Sequence, residues 1–253
     1  MSVQPAGISF QSTAINGIDV HILPTAKFKT TTIVTMVEQP LAEETVTPTS
    51  LLAMVMKRAT ARFPETKKLR EHLDFLYGAI FDVDVLKKGE RQILQIYMEV
   101  PNEKYLSKDT PLFEEAIRFV GDMLTRPCVE NGSFLPKYVD QEKESLRKRI
   151  ESLIDDKMKY ANQRVTEEMC KGEPYSLLVY GRLADLPALD GGRLYRHFQK
   201  ITAESPIHMF VVGDVDVQHV QEAISSLVPL PRRERVQPPV LDVVKPVEQV
   251  REV

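Results

Sequence analysis

The sequence predicts an α+β fold, a single mostly antiparallel sheet covered by helices, and three observations predict it. Short β-branched or alternating runs recur between longer stretches with apolar residues at helical spacing. Residues 79–86 and 93–100 face each other across Lys88-Gly89 as a hairpin, which makes at least part of the sheet antiparallel. The long amphipathic stretches each offer one apolar side, which must be buried against a sheet or another helix.

In order along the chain, Asn16-Gly17 marks a turn, and residues 18–23 read as a strand ended by Pro24. Residues 30–37 are rich in β-branched side chains and read as a second strand. Thr47-Pro48 predicts a helix start, with Thr47 as cap and Pro48 at the first helical position. Leu51, Leu52, Val55, Met56 and Ala59 line its inner face, and Phe63-Pro64 breaks it. A second helix over 65–77 turns Leu69, Leu73 and Leu76 inward and stops at Gly78. The 79–86/93–100 hairpin follows, and then an amphipathic helix over 111–124. Residues 136–170 read as one long helix, its apolar set being Val139, Leu146, Ile150, Leu153, Ile154, Met158, Val165 and Met169, with one side on the core. Gly172 and Pro174 end it. A short helix after Gly191-Gly192, a buried strand over 206–212 and a helix over 217–228 complete the domain, residues 1–228. Residues 229–253, with five prolines among charged side chains and no helical period, read as an interdomain linker leading to a second domain.

Composition excludes several classes. The net charge of −3 and the lack of a basic stripe argue against a nucleic-acid partner. The run Arg147-Lys148-Arg149 has Glu142, Glu144 and Glu151 as neighbours and reads as a solvated helix face. No apolar run reaches the roughly 18 residues of a membrane span. The first residues carry no targeting pattern, and the two cysteines, Cys128 and Cys170, read as thiols of a cytoplasmic protein.

Local motifs for metal, nucleotide or nucleophile are missing. None of His21, His72, His197, His208 and His219 completes H-E-x-x-H or its inverse. Glu71-His72 imitates half of the inverted motif, but Lys68 stands where its first histidine belongs, so His72 reads as an ordinary surface residue of a helix. Phosphate-loop and dinucleotide signatures are likewise missing, and Cys170, after a helix rather than a strand, reads as a structural thiol.

Three ordered stretches resemble the N-terminal domain of the pitrilysin/insulinase family, the inverted-motif zinc peptidases. They are residues 47–79, ending Leu76-Tyr77-Gly78-Ala79; residues 142–161, with Asp155-Asp156-Lys157; and Glu173-Pro174-Tyr175, Gly181 and Val211-Val212-Gly213-Asp214-Val215. Leu51-Leu52 and Thr60-Ala61-Arg62-Phe63-Pro64 bring the chain nearest to a zinc-less bacterial branch, the elongation-factor-P 5-aminopentanol modification-associated proteins. The resemblance implies one domain of a two-domain protein. Counting back from Ala59-Thr60, the family's two histidine ligands fall on Ser50 and Met54 and its catalytic glutamate on Ala53. Glu142 matches the first of two helix glutamates, and the glutamate ligand seven residues on falls on Arg149. Serine, alanine and methionine are poor or null zinc ligands, and arginine has no lone pair to give. Without a glutamate at position 53, no general base serves a zinc-bound water.

The resemblance further implies a catalytically silent homologue with no cofactor. Its role would be that of a non-catalytic chamber subunit, paired with an active metallopeptidase relative or with itself, binding substrate through its walls and sheet edge. Two alternatives stand beside it: a scaffold for elongation factor P modification without a peptidase partner, and an active metallohydrolase with an unrecognised site.

Overall fold

A computed structural model describes residues 9–106, 110–230 and 234–238. Strands β1 (Gln11–Ile15) and β2 (Ile18–Pro24) form a hairpin whose turn, Asn16-Gly17, has both residues at positive φ, 51° and 77°. Strand β3 (Thr30–Pro40) leads to helix α1 (Glu43–Met56) and helix α2 (Thr66–Phe75). The hairpin of β4 (Ile80–Lys88) and β5 (Arg91–Pro101) comes next, then helix α3 (Leu112–Thr125). A two-residue ribbon, β6 (Val129–Glu130) and β7 (Ser133–Phe134), precedes helices α4 (Pro136–Glu151), α5 (Lys157–Met169) and α6 (Gly191–Glu204). Strand β8 (Ile207–Gly213) and helix α7 (Val217–Leu227) close the fold.

The six-stranded sheet has the order β1-β2-β8-β3-β5-β4, antiparallel at every neighbouring pair except β2 with β8. The predicted α+β class is thus what the chain adopts. Side chains alternate across the sheet: Thr31, Ile33, Thr35, Val37 and Gln39 of β3 are buried under the helices, and Thr32, Val34, Met36 and Glu38 are half-buried on the other face. Register carries the same alternation to β5, where Gln92, Leu94, Ile96, Met98 and Val100 join the helix-covered face. Helix α1 packs on β4, β5, α4 and α6, and α3 packs on β5 and α7. The β4 strand forms one edge of the sheet, and this edge lies beside the α1–α4 pair.

Several expectations are corrected. Helix α1 starts at Glu43, so Pro48 lies inside it and Thr47 is not its cap. Buried Leu41 and Val46 pin the earlier turn, and Glu43 and Glu44 suit its positive end. The Thr47 hydroxyl instead donates to Asp185 Oδ2 at 2.6 Å and accepts from the Arg182 amide at 3.0 Å. The 136–170 stretch is not one helix. A 3-10 turn at Ser152–Ile154 interrupts it, and the Asp156 carboxylate caps α5 by accepting from the Lys159 amide at 3.1 Å.

That break takes α5 off the core. Val139 and Leu146 are buried on α4, but Ile154, Met158, Val165 and Met169 are 63, 79, 54 and 75% exposed. The basic run divides as well. Arg147 pairs with Glu144 and Glu151 at the surface, but Arg149 turns inward. His72 is half-buried and stacked on Phe63, with ring centroids 4.3 Å apart, and next to Phe119 and Phe75, its Nε2 without a hydrogen-bond partner. A strand before Asn16-Gly17, β1, was not expected at all. Most of the 229–253 segment lies outside the described residues. Of it, Leu230 is buried and Arg235 Nε reaches Asp19 Oδ1 at 2.7 Å. Both cysteines are free thiols, Cys128 buried and Cys170 partly exposed. Among the described residues, no helix is long and apolar enough to cross a membrane.

Candidate functional site

A cavity of about 680 Å³ opens between α1, α2, the start of β4 and α4. Its apolar wall comes from Met54, Leu69, Leu73, Ile80 and Phe81, and its polar rim from Lys57, Arg58, Arg70, Asp74, Glu142 and Arg149. The entry to β4 is shaped by Tyr77 and Gly78, both in the left-handed region with φ of 59° and 71°. Two such residues in succession reverse the chain tightly after α2, which brings Ile80 and Phe81 to the cavity mouth.

Of the five residues expected from the sequence, Met54, Glu142 and Arg149 meet at this cavity. Ser50 and Ala53 lie on the same helix as Met54 but are 2% and 1% exposed and do not line it. The Ser50 hydroxyl donates to the Val179 carbonyl at 2.7 Å, and Gln92 Nε2 donates to that same carbonyl at 2.9 Å. Position 50 thus serves a buried polar link between α1, β5 and the 179–180 stretch.

Each charged group at the back of the cavity has a protein partner. Glu142, 4% exposed, is engaged by the Arg58 guanidinium. Arg149 donates in two-pronged fashion to Asp84, at 3.2 and 3.0 Å, and to the Tyr180 hydroxyl at 2.8 Å. Its guanidinium carbon also lies 3.9 Å from the Tyr180 ring centroid. Lys57 pairs with Asp82, which precedes Asp84 on the same strand. Burial pushes the Asp84 carboxyl up. The Arg149 hydrogen bonds, the Val85 amide and the charges of Arg149 and Lys57 outweigh that and hold it below the ordinary carboxylate range.

This donor set does not fit zinc. Met54 offers a soft thioether, Arg149 no lone pair, and Glu142 is already committed to a cation. Among the described residues, no cluster of three histidine, cysteine, aspartate or glutamate side chains could hold a metal ion. Behind α1, His197 and Thr49 are 2.8 Å apart, and burial followed by the charge of Lys200 brings the imidazole down to about 4. At neutral pH it is an uncharged hydrogen-bond partner.

Sequence reasoning missed the partners: Arg58, Lys57, Asp82, Asp84 and Tyr180. The aspartates had a signal, since they alternate with apolar residues along β4. Nothing in the sequence pointed to Tyr180.

The sequence is 40% identical over 210 residues to a protein of Bacillus subtilis (strain 168) named "Probable inactive metalloprotease YmfF", a match covering 83% of this chain and 49% of that protein. The chain belongs to the pitrilysin-like M16 peptidase family. No protein-family model matches it. A conserved protein from Enterococcus faecalis V583 superposes with a TM-score of 0.84 at 29% identity, over 93% of this chain and 57% of that one. The peptidase M16 inactive domain from Pseudomonas fluorescens superposes with a TM-score of 0.70 at 11% identity, over 94% of this chain and 54% of the other, a likeness of fold alone. The chain spans about half the length of the curated relative it matches.

Proposed function

We propose that this chain is the N-terminal domain, residues 1–228 with a linker from 229, of a zinc-less M16 protein. In the cytoplasm it would act as the non-catalytic partner of an active relative. The observation that carries this reading is the fate of position 149. Where the family resemblance puts a metal-binding carboxylate, a guanidinium stands, locked to Asp84 and Tyr180. Glu142 beside it is neutralised by Arg58 rather than left free for a cation. Charge that would hold and answer a dication is satisfied by protein alone, while the cavity and the β4 edge remain as walls able to meet a polypeptide. Through the same resemblance, the client would be tied to elongation factor P modification.

Co-expression with an M16 relative that carries the intact inverted motif tests this. The expected result is co-elution of the two chains and altered peptide cleavage by the relative, while this chain alone holds no stoichiometric zinc and cleaves nothing. A chain that stays apart from every such relative, yet captures elongation factor P in their absence, would replace this reading with a scaffold role. Zinc-dependent cleavage by the chain alone would overturn both.

A further inference from the structure

We propose that helix α5 is a self-association surface: two copies of this chain pair their α5 helices antiparallel, apolar side on apolar side, as a weak dimer. This surface belongs to the chain by itself and stands apart from the role proposed above.

Helix α5 is built inside out. None of its 13 residues is buried. Its half-buried residues, Gln163, Thr166, Glu167 and Glu168, are all polar. Its large apolar residues, Met158, Val165 and Met169, are each more than half exposed, as is Ile154 one turn ahead of them. At about 100° per residue, Met158, Ala161, Val165 and Met169 fall within an arc of about 80°. They form one outward stripe, and Ala161 in its middle is exposed as well. An amphipathic helix ordinarily turns such a stripe to a core. A helix this short gains little stability in water from propensity alone and needs its apolar side covered.

The charges beside the stripe select the cover. Lys157 and Glu168 are eleven residues apart, three turns plus about 20°, so both lie on one flank of the stripe. Met158 and Met169 have the same spacing within it. A two-fold axis across the middle of α5 therefore lays the stripe on its own reverse. Met158 meets the partner's Met169, and Ala161 faces the partner's Val165. Lys157 of each copy stands opposite the partner's Glu168. Among the described residues Lys157 has no acidic partner of its own, and Glu168 has only the exposed Arg164. A parallel pair would instead oppose Lys157 to Lys157 and Glu168 to Glu168, and would align the two helix dipoles. At about 1.5 Å per residue, α5 is about 20 Å long. Its contact is smaller than the roughly 800 Å² per partner of a standard interface, which makes the dimer weak and concentration-dependent.

Sedimentation equilibrium of the whole chain, from about 5 to about 500 µM, tests this over the range in which so small an interface dissociates. The native chain should pass reversibly from monomer to dimer. Met158→Lys, which sets an unpaired charge in the middle of the contact, should weaken the dimer at least about tenfold. Lys157→Glu and Glu168→Lys should each weaken it about three- to tenfold. The two together restore the pairs between copies and should regain most of the native affinity, which a general loss of packing would not do. Circular dichroism of each variant checks that the helices are retained. A native chain that stays monomeric at every concentration overturns the proposal. So does a dimer that Met158→Lys leaves intact, or a double variant no tighter than the single ones. A monomeric chain that co-elutes with an M16 relative, and loses it on Met158→Lys, also overturns self-association and gives the stripe to that relative.

Discussion

Replacing Arg149 by methionine isolates the energetic role of the guanidinium, because methionine keeps much of the apolar stem against Tyr180 and removes only the charge and its hydrogen bonds. Removing one partner of a fully buried pair costs about 3–5 kcal/mol, and of an exposed pair about 0–1 kcal/mol. The Arg149 and Asp84 side chains are 35% and 33% exposed, so the pair lies between those limits. Arg149→Met should therefore cost about 2 kcal/mol at pH 7. The pH dependence gives the sharper test. In the native chain the Asp84 carboxyl is held below its ordinary value. Its stabilisation is therefore fully present above the unfolded value, near 4, and is lost as pH falls through the folded value. In the variant, burial still opposes the charged carboxylate while its main counter-charge is gone, so protonation relieves the stranded group. The gap between the two proteins should shrink to less than half on going from pH 7 to pH 3. Urea unfolding followed by circular dichroism at both pH values measures it. A gap that is equal at the two pH values, or wider at pH 3, refutes the clamp as the source of the loss.

Three further outcomes are expected. His197, brought down to about 4, should stay neutral at pH 5 by NMR; the stability tied to its neutrality is present above pH 6.5 and lost between 6.5 and about 4, so His197→Gln should spare the chain on the order of 2–3 kcal/mol of acid loss in that window. Gly181→Ala should destabilise by at least about 2 kcal/mol in urea titration, because φ is +86° there and an added Cβ would lie 2.2 Å from Thr47 Oγ1 and 2.6 Å from Thr47 Cα; unchanged stability would mean that the 178–185 loop does not press on α1. Met158→Lys on the exposed side of α5 should change stability by less than about 0.5 kcal/mol, whereas Leu146→Ala, fully buried one helix earlier, should cost about 2–5 kcal/mol by the same measurement.

The fold was legible wherever one residue pattern admitted one period. The β4–β5 hairpin, α3, α4 and β8 follow from alternation, from Gly89 at a positive φ of 55°, and from apolar stripes that do reach the core. The failures have physical causes. Thr47-Pro48 has the chemistry of a helix start, but Leu41 and Val46 bury an earlier turn and Thr47 is spent on the 182–185 segment. The stripe from Ile154 to Met169 has helical spacing, but spacing alone does not say what covers a face, and Asp156 caps a new helix that leaves it bare. The first strand was hidden because Gln11–Ile15 is short and lies at an edge, where burial imprints little pattern.

At the cavity, the sequence could be read only as far as one-dimensional spacing allows. Residues four apart on α1 share a helix side, yet the cavity reaches Met54 and leaves Ser50 under the Val179 carbonyl. Position 149, predicted as part of a solvated basic face and also as the position of the family's glutamate ligand, departs from the first description: it is the one arginine of the run that turns toward β4. What no spacing could supply is the answering charge. Asp84 lies sixty-five residues away along the chain, and only the approach of α4 to the sheet edge brings the two together.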